Sequence, residues 1–143
     1  MSKKSSRKYN RRRKGAGFIF TTPESKVLLV QECRGLKWGF CKGHTERGDV
    51  NSLTTAIREA NEELGLTSTD YKVTSRAVGI ADYSFFYATL HKAPEDLALH
   101  EGEIAAIKTF SLESLLASIR DCPDNYNRFV RAWVQKRTPP VLN

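Results

Sequence analysis

The chain has 143 residues, enough for one domain with a buried core, and 40% of them are hydrophobic. No apolar run approaches the ~18 to 20 residues that cross a bilayer, and no secretory apolar segment follows the amino terminus, which leads to the expectation of an intracellular protein, cytoplasmic or nuclear, without a membrane partner. Three cysteines, Cys33, Cys41 and Cys122, form no C-x-x-C pair and are too scattered for a disulfide framework, so they read as reduced thiols, with Cys41 a small loop filler.

The formal charge of +7 is uneven. Lys3, Lys4, Arg7, Lys8, Arg11, Arg12, Arg13 and Lys14 crowd the first 14 residues without one acid, and the rest of the chain is close to neutral. Residues 1–14 therefore read as a disordered basic arm that orders on meeting an anion. Polyphosphate or an RNA backbone suits it, because each phosphate neutralised releases a counterion; a nuclear-localisation signal is the rival reading. Arg13 and Lys14 are its candidate substrate contacts.

Gly15–Thr21 and Lys26–Glu32 are β-rich runs separated by a short turn at Thr22-Pro23, and together they read as a hairpin. A glycine-bearing loop through Trp38, Gly39, Gly43 and Gly48 follows. It leads into a segment whose apolar residues Leu53, Ala56, Ile57, Ala60 and Leu64 recur at helical spacing, which predicts a helix with one buried stripe. Asn51 or Ser52 can cap its start, and Gly65 stands where a left-handed residue closes a helix.

The carboxylates of this helix are the informative part. Glu59, Glu62 and Glu63 share about a third of its circumference, and Glu59 and Glu63 border the apolar stripe. As a like-charge pair at i, i+4 they repel by a few tenths of a kcal/mol, a conflict that a hard cation between them would resolve. Clustered oxygen ligands suit Mg²⁺ or Mn²⁺, which bind a few carboxylates together with waters and phosphates. A solvated acidic face is the plain alternative.

Gly43 followed by Arg58, Glu59, Ala60, Glu62, Glu63, Gly65 and Leu66 resembles the Nudix box, G-x5-E-x7-R-E-U-x-E-E-x-G-U, of Nudix hydrolases. Two departures stand out: one extra residue lies between Gly43 and Arg58, and the acid after the loop is Asp49 instead of glutamate, which leaves the role of Asp49 open. Trp38-Gly39-Phe40-Cys41-Lys42-Gly43 is similar to the W-x-F-P-K-G lead of diadenosine tetraphosphate hydrolases and mRNA-decapping enzymes, with Cys41 at the usual proline. Features of both branches are present, so the subfamily stays open.

Beyond the helix, Tyr71–Ile80 has strand-like content. Tyr83–Leu90 alternates Tyr83, Phe85 and Tyr87 on one face with Phe86, Ala88 and Leu90 on the other, which predicts a central strand. Residues 91–102 read as a polar loop before a strand over 104–110. Ser111 and Pro123 read as openings of two further helices, the last with Tyr126, Phe129, Val130 and Trp133 on its buried side and Arg128, Arg131 and Lys136 on the other. Glu103-Ile104 through Glu113 is similar to a run that follows the box in many Nudix enzymes, where a glutamate serves as an additional metal ligand or base. Glu103 is the candidate, with Glu101 next to it.

The resemblance implies an α/β fold, an α/β/α sandwich around a mixed sheet, spanning residues 15–138 with a tail at 139–143. It also implies metal-dependent hydrolysis of a phosphoanhydride. Glu59, Glu62, Glu63 and the Lys42 carbonyl would face Mg²⁺ or Mn²⁺, Arg58 would orient a carboxylate, and Glu59 or Glu103 would take the proton of the attacking water. Lys42 and His44 are candidate phosphate contacts. Expected substrates are a nucleoside diphosphate linked to another group, capped RNA or a dinucleoside polyphosphate first. A diphosphoinositol polyphosphate, or a non-catalytic RNA-binding role, is the alternative. Oligomeric state is left open.

Overall fold

The computed structural model describes residues 14–74 and 77–137. The basic arm up to Arg13 and the tail at 139–143 lie outside the described residues.

The opening hairpin forms as its alternating apolar residues require. Strands β1 (Gly15–Thr21) and β2 (Val27–Glu32) pair antiparallel from Thr21 opposite Val27. β7 (Tyr83–Leu90) lies parallel to β1 along its full length, Gly15 opposite Tyr83 through Thr21 opposite Thr89. β4 (Cys41–His44) pairs with the first half of β1, and β3 (Trp38–Gly39) and β8 (Ile104–Phe110) pair with β2. β5 (Tyr71–Val73) and β6 (Val78–Ile80) both run antiparallel to β7. Among the described residues one mixed sheet of eight strands results.

β7 is central, and its two faces do what the alternation demands. Phe86, Ala88 and Leu90 face a core that includes Phe18, Phe20 and Leu28 under helix α1 (Ser52–Leu64). Tyr83, Phe85 and Tyr87 face a second core that includes Ile19 and Leu29 under α2 (Leu112–Asp121) and α3 (Arg128–Arg137). Covering both faces gives the α/β/α sandwich.

α1 lies close on the sheet because its stripe is small: Ala56, Ala60 and Leu64 are wholly buried. Full burial of the Leu64 side chain alone is worth about 2 kcal/mol. Asn51 caps the start by accepting from the Thr54 N–H. Gly65 ends the helix at φ 66°, its N–H bonded to the Ala60 and Asn61 carbonyls. Among the described residues no helix is long and apolar enough to cross a membrane.

Three local expectations are corrected. Cys41 is not loop filler: it sits in β4, 1% exposed, held there by pairing of Phe18 with Cys41 on β1. The stretch 71–80 is divided into β5 and β6. Pro123 opens a short 3-10 turn (Pro123–Asn125) instead of a helix, and α3 starts only at Arg128, where the Asn127 carboxamide oxygen accepts from the N–H groups of Phe129 and Val130 at 3.1 Å each. The local polar cap, not proline, decides where that helix begins.

Candidate active site

The packing of α1 on β1 and β4 turns one edge of the helix into the wall of a cleft of about 580 Å³. Glu59 and Glu63, one turn apart, lie on that edge and are each only 8% exposed. The Glu59 carboxylate rests on Gly43: a Cβ at that glycine would stand 2.0 Å from Glu59 Cδ. Only glycine admits the acid there. Glu63 Oε1 accepts from the Lys42 N–H at 3.3 Å, and the buried Cys41 thiol donates to the same carboxylate.

Burial, then the charge of Glu59, pushes the Glu63 carboxyl up to about 8. Burial also raises Glu59, partly offset by its hydrogen bond from Arg58, with the charges of Glu62 and Glu103 adding to the rise. Cys41 is raised as well, by burial first and by Glu63 second. These shifts share one origin: negative charge gathered in a desolvated place.

Glu62 lines the same cleft but is exposed, its carboxylate 3.3 Å from Arg58 Nη1. Arg58 is the hub of the box. Nη1 also meets Glu59 Oε2 at 2.9 Å and Glu46 Oε2 at 3.2 Å, and Nη2 donates to the His44 carbonyl at 2.9 Å. Its fork grips Asp49, Nε to Oδ1 at 3.1 Å and Nη2 to Oδ2 at 2.8 Å.

Asp49, whose role the sequence left open, is thereby placed. Its carboxylate is 4% exposed and also accepts from the Thr55 hydroxyl (2.9 Å) and the Glu46 N–H (2.8 Å). The hydrogen bonds from Arg58 hold its pKa well below the usual carboxylate range, with the Glu46 N–H and Thr55 bonds acting the same way against a smaller burial penalty. A loop one residue longer than the Nudix pattern thus delivers an acid one methylene shorter to the Arg58 fork.

Lys42 reaches into the cleft from β4. Its ammonium lies 3.4 Å from Glu32 Oε2 and over the rings of Phe129 (5.5 Å) and Tyr83 (5.9 Å). His44 lines the same cleft, with its ring centroid 6.1 Å from that of Tyr83. Glu103 forms part of the wall beside Gly102 and Ile104, and its carboxylate hydrogen-bonds His100 Nδ1. Glu101 is exposed and does not line the cleft.

Lys14 stands outside the cleft wall, 71% exposed, with Nζ 3.8 Å from Asp82 Oδ2. Its backbone donates to the Asp82 carbonyl and accepts from the Thr45 N–H, one residue from His44. Arg13 lies outside the described residues. Sequence reasoning missed Glu32 and Tyr83 on the cleft wall, Phe129 against Lys42 and His100 against Glu103, because tertiary packing brings each there and none carries a local signature.

The geometry and the box agree with a direct comparison: the NUDIX domain family matches residues 11–132. The chain belongs to the Nudix family.

Among Nudix structures, the fold is similar to a C. elegans Ap4A hydrolase in a binary complex, with TM-score 0.63 and 22% identity over 87% of this chain and 98% of that one. It is equally similar to RenU, a Nudix hydrolase of M. smegmatis, with TM-score 0.66 and 20% identity over 92% and 90%. At that identity the likeness speaks for the fold alone. A shorter stretch of 53 residues is 42% identical to the m7GpppN-mRNA hydrolase and the mRNA-decapping enzyme subunit 2 of Saccharomyces cerevisiae, covering 37% of this chain and 5% of theirs.

Proposed function

We infer that the protein cleaves, with Mg²⁺ or Mn²⁺, a phosphoanhydride joining a nucleoside diphosphate to another group, and that the 5′ cap of RNA is its foremost substrate. The observation that carries the metal-dependent part is the pair of buried carboxylates, Glu59 and Glu63, one helical turn apart on the cleft wall. Among the described residues no three histidine, cysteine or acidic side chains close into a ready cage. Carboxylate oxygens are the donors of hard ions that keep waters and take phosphate oxygens as further ligands.

Glu59, Glu62 and Glu63, with the Lys42 carbonyl, would hold the metal. When bound, it neutralises phosphate charge and lowers the pKa of a coordinated water. The remaining work belongs to the chain. Arg58 keeps Glu59 and Glu62 in place, and Asp49 and the His44 carbonyl keep Arg58 in place. Lys42 and His44 meet phosphate oxygens, which requires Lys42 to exchange Glu32 for the substrate. Glu103, which lines the same cleft as Glu59, accepts the proton of the attacking water; the water oxygen bonds to phosphorus as the anhydride P–O bond breaks and the leaving phosphate departs.

Capped RNA is placed first on two grounds. One is the stretch shared with decapping enzymes. The other is that Lys14, the last residue of the basic segment, is anchored beside Thr45 and Asp82, the chain neighbours of the cleft residues His44 and Tyr83, and a polyanion longer than a nucleotide could reach it. Dinucleoside polyphosphates are the second reading, favoured by the Lys42 and His44 side chains standing together at the site.

The test incubates the full chain with Mg²⁺ or Mn²⁺ and capped RNA, a dinucleoside tetraphosphate, and a diphosphoinositol polyphosphate. Release of a methylated nucleoside diphosphate from capped RNA, lost by orders of magnitude in Glu63→Gln, is expected. Cleavage of the dinucleoside alone would replace the first reading by the second. RNA binding without turnover of any substrate would overturn both.

A further inference from the structure

The loop that carries Glu103 is fastened to the end of α1. Ala98 N–H donates to the Leu64 carbonyl (3.2 Å) and His100 N–H to the Glu63 carbonyl (2.9 Å). The loop then closes on His100, whose carbonyl accepts from the N–H groups of Glu103 (3.1 Å) and Ile104 (3.0 Å). Gly102, at φ 87°, supplies the left-handed residue the turn needs. Cys33 N–H donates to the Glu103 carbonyl at 2.8 Å and ties the far side of the loop to the end of β2. The backbone of Glu103 is thus fixed from both sides.

Its side chain is not fixed by burial, for both Glu103 and His100 are more than half exposed. A glutamate in water samples several rotamers, and the charge of Glu59, which Glu103 is close enough to perturb, pushes it outward. A base works only within about 2.6–3.2 Å of the proton it takes. One hydrogen bond opposes this dispersal: His100 Nδ1 to Glu103 Oε2. An ionised carboxylate only accepts, so in this pairing Nδ1 is the donor. His100 itself does not line the cleft.

We propose that His100 is a positioning residue for the hydrolytic reaction, its Nδ1–H holding the Glu103 carboxylate at the cleft wall against the repulsion of Glu59. The proposal rests on the hydrolase reading above and adds to it a residue that touches neither substrate nor metal. His100 acts through Glu103 alone, so its effect belongs in kcat and cannot exceed the effect of removing Glu103.

A double-mutant cycle on the full chain tests this with the substrate that turns over fastest. His100→Ala is expected to lower kcat about tenfold with KM within about twofold, as expected for a misplaced catalytic group. His100→Asn, whose amide nitrogen stands about where Nδ1 does, should recover most of the loss. In a Glu103→Gln background, His100→Ala should cost nothing further. A second reading needs no turnover: in metal-free protein the His100 imidazole ¹⁵N signals should show a protonated Nδ1 that shifts in Glu103→Gln.

An unchanged kcat in His100→Ala, an equal fold-loss with and without Glu103, or an imidazole indifferent to Glu103→Gln would overturn the proposal while leaving the hydrolase intact. A wild-type chain inert toward every substrate would overturn the hydrolase reading instead, and this role with it.

Discussion

Glu63→Gln separates the chemistry of the cleft from its cost to the fold. The ordinary carboxylate value is 4.5, and Glu63 is pushed up to about 8. Between those values the folded chain holds a proton that the unfolded chain releases, so the metal-free protein is most stable at the acid end and loses stability as the pH rises toward 8. At about 1.4 kcal/mol per pH unit, reduced where the two curves flatten, the loss between pH 5 and pH 7 is roughly 2–3 kcal/mol. Glutamine mimics the protonated acid and escapes it. For a chain of this size that is roughly 8 °C in Tm. Melting wild type and Glu63→Gln in EDTA across pH 5–8 reads the difference directly, since titrations remote from this carboxylate are shared. The variant should gain on wild type steadily up to pH 8 while losing turnover. Excess Mn²⁺ should reverse the order, adding about 2.7 kcal/mol to wild type at one hundred times its Kd and much less to the variant. A gap in Tm that stays constant from pH 5 to pH 8 would refute the claim that Glu63 is a desolvated charge facing Glu59.

Asp49→Ala strips Arg58 of its fork partner and should cost about 2–4 kcal/mol in urea unfolding at pH 7. Because the pKa of Asp49 is depressed, that contribution is present above its ordinary 3.8 and fades as the pH falls toward the lower folded value; an equal cost in an Arg58→Met background would count against the pair. Gly43→Ala forces a methyl into the Glu59 carboxylate and should lower kcat about 10- to 100-fold, with a near-native circular dichroism spectrum. Lys42→Met should raise KM about tenfold or more through loss of a charged phosphate contact, whereas Glu32→Gln, which frees the ammonium, should lower KM by about two- to fivefold. Equal KM values in all three proteins would remove Lys42 from the binding machinery.

Much of the architecture was legible along the chain because it rests on local periodicity and caps. The helical stripe Ala56, Ala60, Leu64 between Asn51 and Gly65 needs no knowledge of the partner surface, and the two apolar faces of Tyr83–Leu90 announce a strand covered on both sides. The carboxylate edge was legible for the same reason, since a helix places Glu59 and Glu63 together whatever lies opposite. Pro123 misled because a proline is only permissive at a helix start, whereas the Asn127 side chain supplies the missing acceptor.

By itself the sequence determined the family, the two-sided sheet and the identity of the paired carboxylates, all of which depend on spacings of eight residues or fewer or on a contiguous motif. Only the tertiary structure decided what those groups face. Parallel pairing of β1 with β7 brings Tyr83 beside Gly15 and the cleft, β2 delivers Glu32 to Lys42, and the loop before β8 sets His100 against Glu103. These neighbours are distant along the chain and are joined by strand register and loop closure. The same is true of Asp49, whose identity was plain but whose purpose became visible only when the longer loop bent its carboxylate into the Arg58 fork.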